Sequence, residues 1–217
     1  MDIGAILKAP TEDKDWLKKC GFIGLFMLIP IVGALNAVGW MKAVFDARRR
    51  GDSELPKPGL EYVGDGFWYA VSMLPAIGAL LVIQIGGTLF AAILPRALAG
   101  IFALGFGLIS FLVAVAFAAL MPAAQYIYLT EGDRLASIRF KRMLEIAKTN
   151  VGVYAMLWVS ILVAQFVGGL GYFACGVGIL LTMPAAFVMQ GAAFAMFDTE
   201  KDRVVEVSNT GWSPPGE

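Results

Sequence analysis

The polar side chains within the long apolar stretches of this chain are mainly amides and hydroxyls. Five amides are spread along these stretches, at Asn36, Gln84, Gln125, Gln165 and Gln190. An amide donates and accepts hydrogen bonds without carrying a charge, so it can join two helices or line a hydrophilic path. We therefore treat these five residues as candidate intramembrane polar contacts.

Groups that move protons or bind metals are scarce in the same stretches. No Asp or Glu lies between Gly66 and Thr130 or between Ala147 and Phe197, and the chain contains no histidine. Its two cysteines are far apart and lack the spacing of a metal site. This pattern argues against proton-coupled transport and against a carboxylate-based intramembrane protease. We expect no enzyme activity, no catalytic residue, no cofactor, no metal site and, with a net charge of zero, no nucleic-acid partner.

The composition indicates that these residues are carried by membrane helices. Of the 217 residues, 59% are hydrophobic and 16% are charged, whereas a soluble domain has about 25% charged residues. Apolar runs of about 18 or more residues are typical of transmembrane helices. Five such blocks cover residues 20–44, 67–94, 97–128, 151–173 and 176–197. We expect a cytoplasmic N-terminal segment, 1–19, a single integral membrane domain, 20–197, and a disordered cytoplasmic tail, 198–217.

The distribution of lysine and arginine favours one threading of these blocks. If the first block enters and leaves on the same side, 16 of the 17 basic residues lie on that side, whereas five crossings give a split of 12 to 5. The first split fits the positive-inside rule better. We predict an all-α protein of the cytoplasmic (inner) membrane, a helical bundle of four transmembrane helices plus a re-entrant N-terminal hairpin, with both termini cytoplasmic. Five spans are the alternative, because the first block is long enough to cross.

Proline and glycine give the first block a place to fold back. Pro30 removes a helical hydrogen bond, and Gly33 permits a reversed backbone. A similar sequence with Pro75 and Gly78 occurs in the second block. We consider these four residues candidate helix breaks. Paired broken helices surround midplane sites in some transporters, but prolines also kink membrane helices without such a role.

One polar segment, residues 130–149, interrupts the apolar blocks. Asp133 near its start can cap a helix, and an apolar side flanked by basic residues follows, so we predict a cytoplasmic amphipathic helix over about residues 133–149. Anionic lipid attracts each basic residue at such an interface by about 1 kcal/mol. The candidate interfacial lipid contacts are Arg134, Arg139, Lys141 and Arg142. Docking under the bundle or against a partner protein is the alternative.

Several short motifs follow one another in a fairly specific order. They are Asp15-Trp16-Leu17-Lys18-Lys19, Ile-Pro-x-x-Gly at 29–33, Arg-Gly at 50–51, Leu-Pro at 55–56, Pro-Ala at 122–123, a helix at 138–148, Asn150 with Tyr154, and Gly-Ile-Leu-Leu-x-x-Pro at 178–184. Over about residues 10–197 the chain resembles a family of small bacterial and archaeal integral membrane proteins known only as a domain of unknown function. It departs from the pattern at Lys57-Pro58, where family members often carry acidic residues and Trp. The resemblance implies no activity, cofactor or catalytic residue.

Two functions from different classes remain open. The first is a non-catalytic membrane protein that organises the membrane, oligomerises or binds a partner, with membrane lipids, a second copy or another membrane protein as partners. The alternative is a small transporter or channel with broken helices around Pro30–Gly33 and Pro75–Gly78. We predict that Asn36→Leu and Gln84→Leu leave folding intact, whereas loss of a measured flux would favour the transporter.

Overall fold

The protein is all-helical in the residues that the structure, a computed structural model, describes, which are 1–173 and 177–210. The α-helices of these residues are α1 (Ile3–Lys8), α2 (Trp16–Phe26), α3 (Val32–Arg49), α4 (Val63–Ile93), α5 (Arg96–Glu131), α6 (Phe140–Thr149), α7 (Val151–Leu170) and α8 (Ile179–Thr210). Short 3-10 turns cover Ala9–Glu12, Ala136–Ile138 and Gly171–Phe173. The predicted all-α fold class is confirmed.

Four of these helices are long and apolar enough to cross a membrane. The qualifying stretches are Val63–Ile93, Leu98–Glu131, Val151–Phe173 and Ile179–Arg203. The first predicted block is instead divided between α2, with 11 residues, and α3, with 18 residues. At about 1.5 Å per residue, α2 is about 16 Å long, roughly half of a hydrocarbon core of about 30 Å.

The contacts within the chain define two compact units. The first contains Met1–Ala70 and Glu145–Glu217, and α8 is its central helix, against which α2, α3 and α7 pack. Its buried core includes Cys20, Trp40 and Val188. Gly24 lets α2 approach α8 closely, because a Cβ there would collide with the carbonyl oxygen of Leu180. The turn after α2 is therefore fixed beside the first residues of α8.

The second unit, Val71–Leu144, contains most of α4, all of α5 and the polar segment up to the start of α6. Large apolar side chains are exposed along α4 from Ile77 to Ile93 and along α5 from Leu98 to Val115. At about 1.5 Å per residue each stretch is about 25 Å long, close to the hydrocarbon thickness of a bilayer. This is the surface expected of two helices that face lipid.

Two segments differ from the expectations drawn from the sequence. The predicted helix over about 133–149 begins at Phe140, because the Asp133 carboxylate accepts a hydrogen bond from the Leu135 N–H at 3.0 Å and forms a tight turn instead of a helix cap. At the other end α8 continues to Thr210, so residues 198–210 are helical where the composition predicts disorder. Residues 211–217 and Cys175 lie outside the described residues.

Candidate functional site

A buried carboxylate just before α2 holds the linker between α3 and α4, residues 50–62. The Oδ1 atom of Asp13 accepts the Asp15 N–H at 2.7 Å, and its Oδ2 atom accepts the Leu55 N–H at 2.7 Å. The Nζ atom of Lys19, one turn into α2, donates to Asp13 Oδ2 at 2.8 Å and to the Leu55 carbonyl at 2.7 Å. Both backbone polar groups of Leu55 are therefore satisfied by one buried ion pair.

Side chains of α3 hold the next part of the linker. The sequence Pro56-Lys57-Pro58-Gly59 cannot form a helix or a central strand, since proline lacks an N–H, so its carbonyl groups need other donors. Asn36 Nδ2 donates to the Gly59 carbonyl at 2.8 Å, and the Trp40 indole N–H points to the Pro56 carbonyl at 3.4 Å. We call Asp13, Lys19, Asn36 and Trp40, with the linker residues 55–59, the linker clamp.

The charge state of the clamp follows from the surroundings of Asp13. Burial by itself raises the pKa of this carboxyl. The hydrogen bonds from Lys19 and from the backbone of Leu55 and Asp15, together with the positive charge of Lys19, outweigh that effect, so the pKa of Asp13 is lowered from its ordinary value. Asp13 is thus an anion at neutral pH and forms a charge-assisted pair with Lys19.

Ion pairs also join the end of α3 to the N-terminal segment and to α8. Arg48 pairs with Glu12 and donates through Nη2 to the Ala9 carbonyl at 2.7 Å. Arg49 pairs with Asp198 at 2.7 Å. The contact between Glu12 and Arg48 therefore brings together a residue that precedes the first apolar block and one that follows it.

Glycines allow the start of α4 to lie directly against α3. A Cβ at Gly39 would collide with the carbonyl oxygen of Tyr62, and a Cβ at Gly66 with that of Leu35. At Gly64, two residues earlier, a Cβ would meet nothing within 4 Å. Two backbones therefore touch here with no side chain between them.

The chain reverses between α2 and α3 at the Pro30–Gly33 sequence. Ile31 has φ 65° and ψ −62°, and the Val32 N–H donates to the Pro30 carbonyl at 2.7 Å. This is a γ-turn of the rare, strained form, in a conformation that a β-branched residue seldom adopts. A Cβ at Gly33 would collide with the Phe26 carbonyl oxygen, so glycine is needed to close the turn. The Ile31 side chain is 75% exposed.

The second pair of candidate helix breaks lies in a continuous helix. Pro75 and Gly78 are both inside α4, which runs from Val63 to Ile93 without interruption. Beside this proline the Ser137 hydroxyl donates to the Ser72 carbonyl at 2.5 Å. Hydroxyl groups commonly satisfy backbone groups in a helix that proline loosens.

The five candidate amides have different surroundings. Asn36 is fully buried, and its Oδ1 atom has no hydrogen-bond partner among the described residues. Gln190 is buried, Gln125 is half-buried, and Gln84 and Gln165 are exposed on their helices. Asn36 belongs to the linker clamp. Gln165 and Gln190 lie in the same unit as Asn36, but they do not form a common site with it.

The four candidate lipid contacts are all exposed. Arg139 pairs with Asp133, and Arg142 pairs with Glu131 at 3.3 Å. Lys141, between them, is exposed at the start of α6, and Arg134 lies in the turn before it.

Sequence reasoning missed most of the linker clamp. Asp13 and Trp40 are not among the candidate site residues that the sequence predicts, although Lys19 belongs to one of the motifs. The available signal was a charged residue immediately before or inside the first turns of an apolar helix, where an unpaired charge is costly. The described residues hold no group of three His, Cys, Asp or Glu side chains that could bind a metal ion, and Cys20 is a free, buried thiol.

Comparisons with known proteins give one match. A family model described as "Protein of unknown function (DUF4013)" matches residues 22–177, well over half of the chain. No curated protein and no solved structure matches. The matched range includes the α2–α3 turn and the linker, whereas Asp13 and Lys19 precede it.

Proposed function

The chain belongs to the DUF4013 family of proteins of unknown function, and from its own geometry we propose that it is a non-catalytic integral membrane protein that organises the lipid around it. The part that does so is a re-entrant hairpin formed by α2 and α3. The hairpin enters and leaves the membrane on the cytoplasmic side, where both termini also lie. The helix α6 lies at the same interface, with its basic residues towards the headgroups.

The observation that carries this proposal is the ion pair between Glu12 and Arg48. Glu12 precedes the first apolar block and Arg48 follows it. A block that crossed the bilayer would separate these two side chains by about 30 Å, so their contact supports a block whose two ends lie on one side. The bonds from Asp13 and Lys19 to Leu55 support the same conclusion independently.

The turn of the hairpin has the surface of a membrane-inserted tip. Its exposed large apolar side chains are Phe22, Leu25, Leu28, Ile29, Ile31 and Val32. An apolar patch of this kind seldom faces water in a monomeric protein. The strained Ile31 backbone keeps one of these side chains at the extreme end of the turn, and strain of this kind is characteristic of functional positions.

Labelling of single cysteines tests the threading. In a chain carrying Cys20→Ala and Cys175→Ser, the variants Thr11→Cys, Ser53→Cys and Arg96→Cys place one thiol before the first block, one in the linker and one at the start of α5. With a membrane-impermeant maleimide, we expect the first two thiols to react from the cytoplasmic face and the third from the other face. Reaction of the first two from opposite faces would establish five spans and end the proposal.

Vesicle size tests the role. Protein reconstituted into vesicles should reduce the mean vesicle radius in proportion to its surface density, because α1 and the linker residues 50–62 add bulk at the cytoplasmic end of the hairpin, whereas only the short turn between α2 and α3 lies at its other end. The double variant Leu28→Ser with Ile31→Ser should lose this effect. Leu104→Ser with Ile101→Ser removes two side chains of comparable exposure from α5 and is the matched control. Equal radii with and without the protein would contradict the role while leaving the threading intact.

The alternative of a small transporter or channel has less support. The fully buried Asn36 with an unpartnered Oδ1 atom is the feature that favours it. Its Nδ2 atom, however, is used to hold Gly59, and the candidate break at Pro75–Gly78 is a continuous helix. A solute flux across the membrane of reconstituted vesicles that is lost in Asn36→Ser would favour the transporter or channel function.

A further inference from the structure

A groove with almost purely apolar walls lies between α4 and α5 in the second unit. Its volume is about 350 Å³, within the range of about 300–1,000 Å³ that is typical of small-molecule sites. The small side chains of Ala79 on α4 and Ala116 on α5 line the groove, and Phe117 forms part of one wall. It extends along α4 from Pro75 to Ile83, which is about 12 Å of helix.

One end of this groove is closed by the polar segment. Ile138 and Phe140 both line it, and the Phe140 ring meets the Phe117 ring edge-on at a centroid distance of 6.2 Å. The bond from Ser137 to the Ser72 carbonyl fixes this segment against α4. The groove therefore ends where lipid-facing helix meets the polar part of the chain.

The residues that alternate with these two apolar side chains are basic. Arg139 lies between Ile138 and Phe140, and Lys141 follows, both exposed. Between residues 131 and 142 the chain has four basic and two acidic residues. An apolar slot whose closed end carries a net positive charge matches a molecule with a hydrocarbon chain and an anionic head.

We propose that this groove binds one acyl chain of an anionic phospholipid, with the phosphate-bearing headgroup held by Lys141. The site needs α4 and α5 to cross the membrane, but it does not depend on the re-entrant hairpin. A result against the hairpin therefore leaves this site untouched, and a result against this site leaves the hairpin untouched.

Lipid retention measured by native mass spectrometry tests the groove. The full-length protein is purified in detergent with phosphatidylglycerol or with phosphatidylcholine of the same chains, and the lipid that stays bound is counted. We expect retention of one phosphatidylglycerol per chain, at least fivefold above phosphatidylcholine. Ala79→Phe fills the groove and should abolish this retention. Ala103→Phe, on an exposed position of α5 outside the groove, should retain lipid as the parent does, and equal thermal melting of the two variants confirms that both fold.

A charge variant tests the headgroup contact. Lys141→Gln should lower phosphatidylglycerol retention about fivefold, the factor that corresponds to the attraction of one basic residue for anionic lipid. Lys148→Gln makes the same charge change elsewhere on α6 and should have no effect. Equal retention of the two lipids by the parent protein, unchanged retention in Ala79→Phe, or an equal effect of the two lysine variants would each overturn the proposal.

Discussion

At the scale of single residues, Asp13 is the side chain on which the linker clamp depends most. It is buried, it accepts three hydrogen bonds, and its charge is balanced by Lys19. We expect Asp13→Asn to destabilise the protein by about 2–4 kcal/mol, because it leaves the mostly buried Lys19 side chain without its counter-charge. Asp15→Asn is the control, since Asp15 pairs with Lys18 on the surface and such pairs contribute about 0–1 kcal/mol. Thermal unfolding in detergent, followed by circular dichroism, measures both.

The pH dependence of stability follows from the lowered pKa of Asp13. A carboxyl whose pKa is lower in the folded than in the unfolded protein contributes stability above its unfolded pKa of about 4. That contribution is lost as the pH falls through the folded pKa. The difference in stability between the parent protein and Asp13→Asn should therefore be constant from pH 7 to pH 5 and shrink below about pH 4. A difference that shrinks already between pH 7 and pH 5 would show that Asp13 is not held as an anion.

Asn36 and Gln84, which the sequence treats alike, should respond differently to the same substitution. Asn36→Leu removes the donor to the Gly59 carbonyl, and an unsatisfied buried group costs about 1–3 kcal/mol. Gln84 is exposed on α4, so Gln84→Leu should change stability by less than about 0.5 kcal/mol. The sequence-based expectation that both variants fold unchanged is therefore revised for Asn36. Equal melting temperatures of the two variants would show that the clamp does not depend on Asn36.

At the scale of elements, the contact between α3 and α4 depends on having no side chain at Gly66. We expect Gly66→Ala to destabilise the protein by about 1–3 kcal/mol, because the new methyl group meets a backbone carbonyl that cannot move freely. Gly64→Ala, one half-turn away in open space, should instead stabilise α4 by about 0.5–1 kcal/mol. Opposite shifts in unfolding temperature are the expected result, and shifts of the same sign would contradict the backbone contact.

The elements also show how far the sequence could predict this fold. The apolar runs predict four long helices, because length and composition alone decide whether a helix can span a bilayer. The two Pro-x-x-Gly sequences look alike, yet one lies in a reversal and the other in a continuous helix. The difference is tertiary: α2 and α3 on either side of Gly33 both pack against α8, whereas Gly78 has open space around it. Local sequence could not distinguish them.

The candidate site was harder to predict than the helices. The bond from Asn36 to Gly59 spans 23 residues and that from Asp13 to Leu55 spans 42 residues. Such pairs have no periodicity that a single sequence reveals. The sequence identifies Asn36 as a polar residue in an apolar helix, but its partner is a backbone carbonyl, which every residue carries. Composition can therefore indicate that a buried donor exists without indicating where its acceptor lies.

At the scale of the first compact unit, the turn of the hairpin and the first turn of α8 should lie at one depth in the membrane. Gly24 fixes α2 against the Leu180 carbonyl, so nitroxide labels at Leu25→Cys and Leu181→Cys should have depths that agree within about one helical turn, 5.4 Å. A label at Val151→Cys, at the opposite end of α7, should differ by up to about 30 Å. Collision with oxygen and with a water-soluble nickel complex measures these depths. Different depths for the first two labels would contradict the packing of α2 on α8.

The linker clamp also bears on how the protein is made. Asp13 and Lys19 find their partner at Leu55, and Asn36 finds its partner at Gly59, so the ribosome finishes α2 and α3 before the groups that satisfy them exist. Until residue 59 has been synthesised, the Asp13–Lys19 pair lacks the backbone groups of Leu55, and the Asn36 side chain lacks its acceptor, the Gly59 carbonyl. We therefore expect the first apolar block to take its final orientation only after the linker has been synthesised.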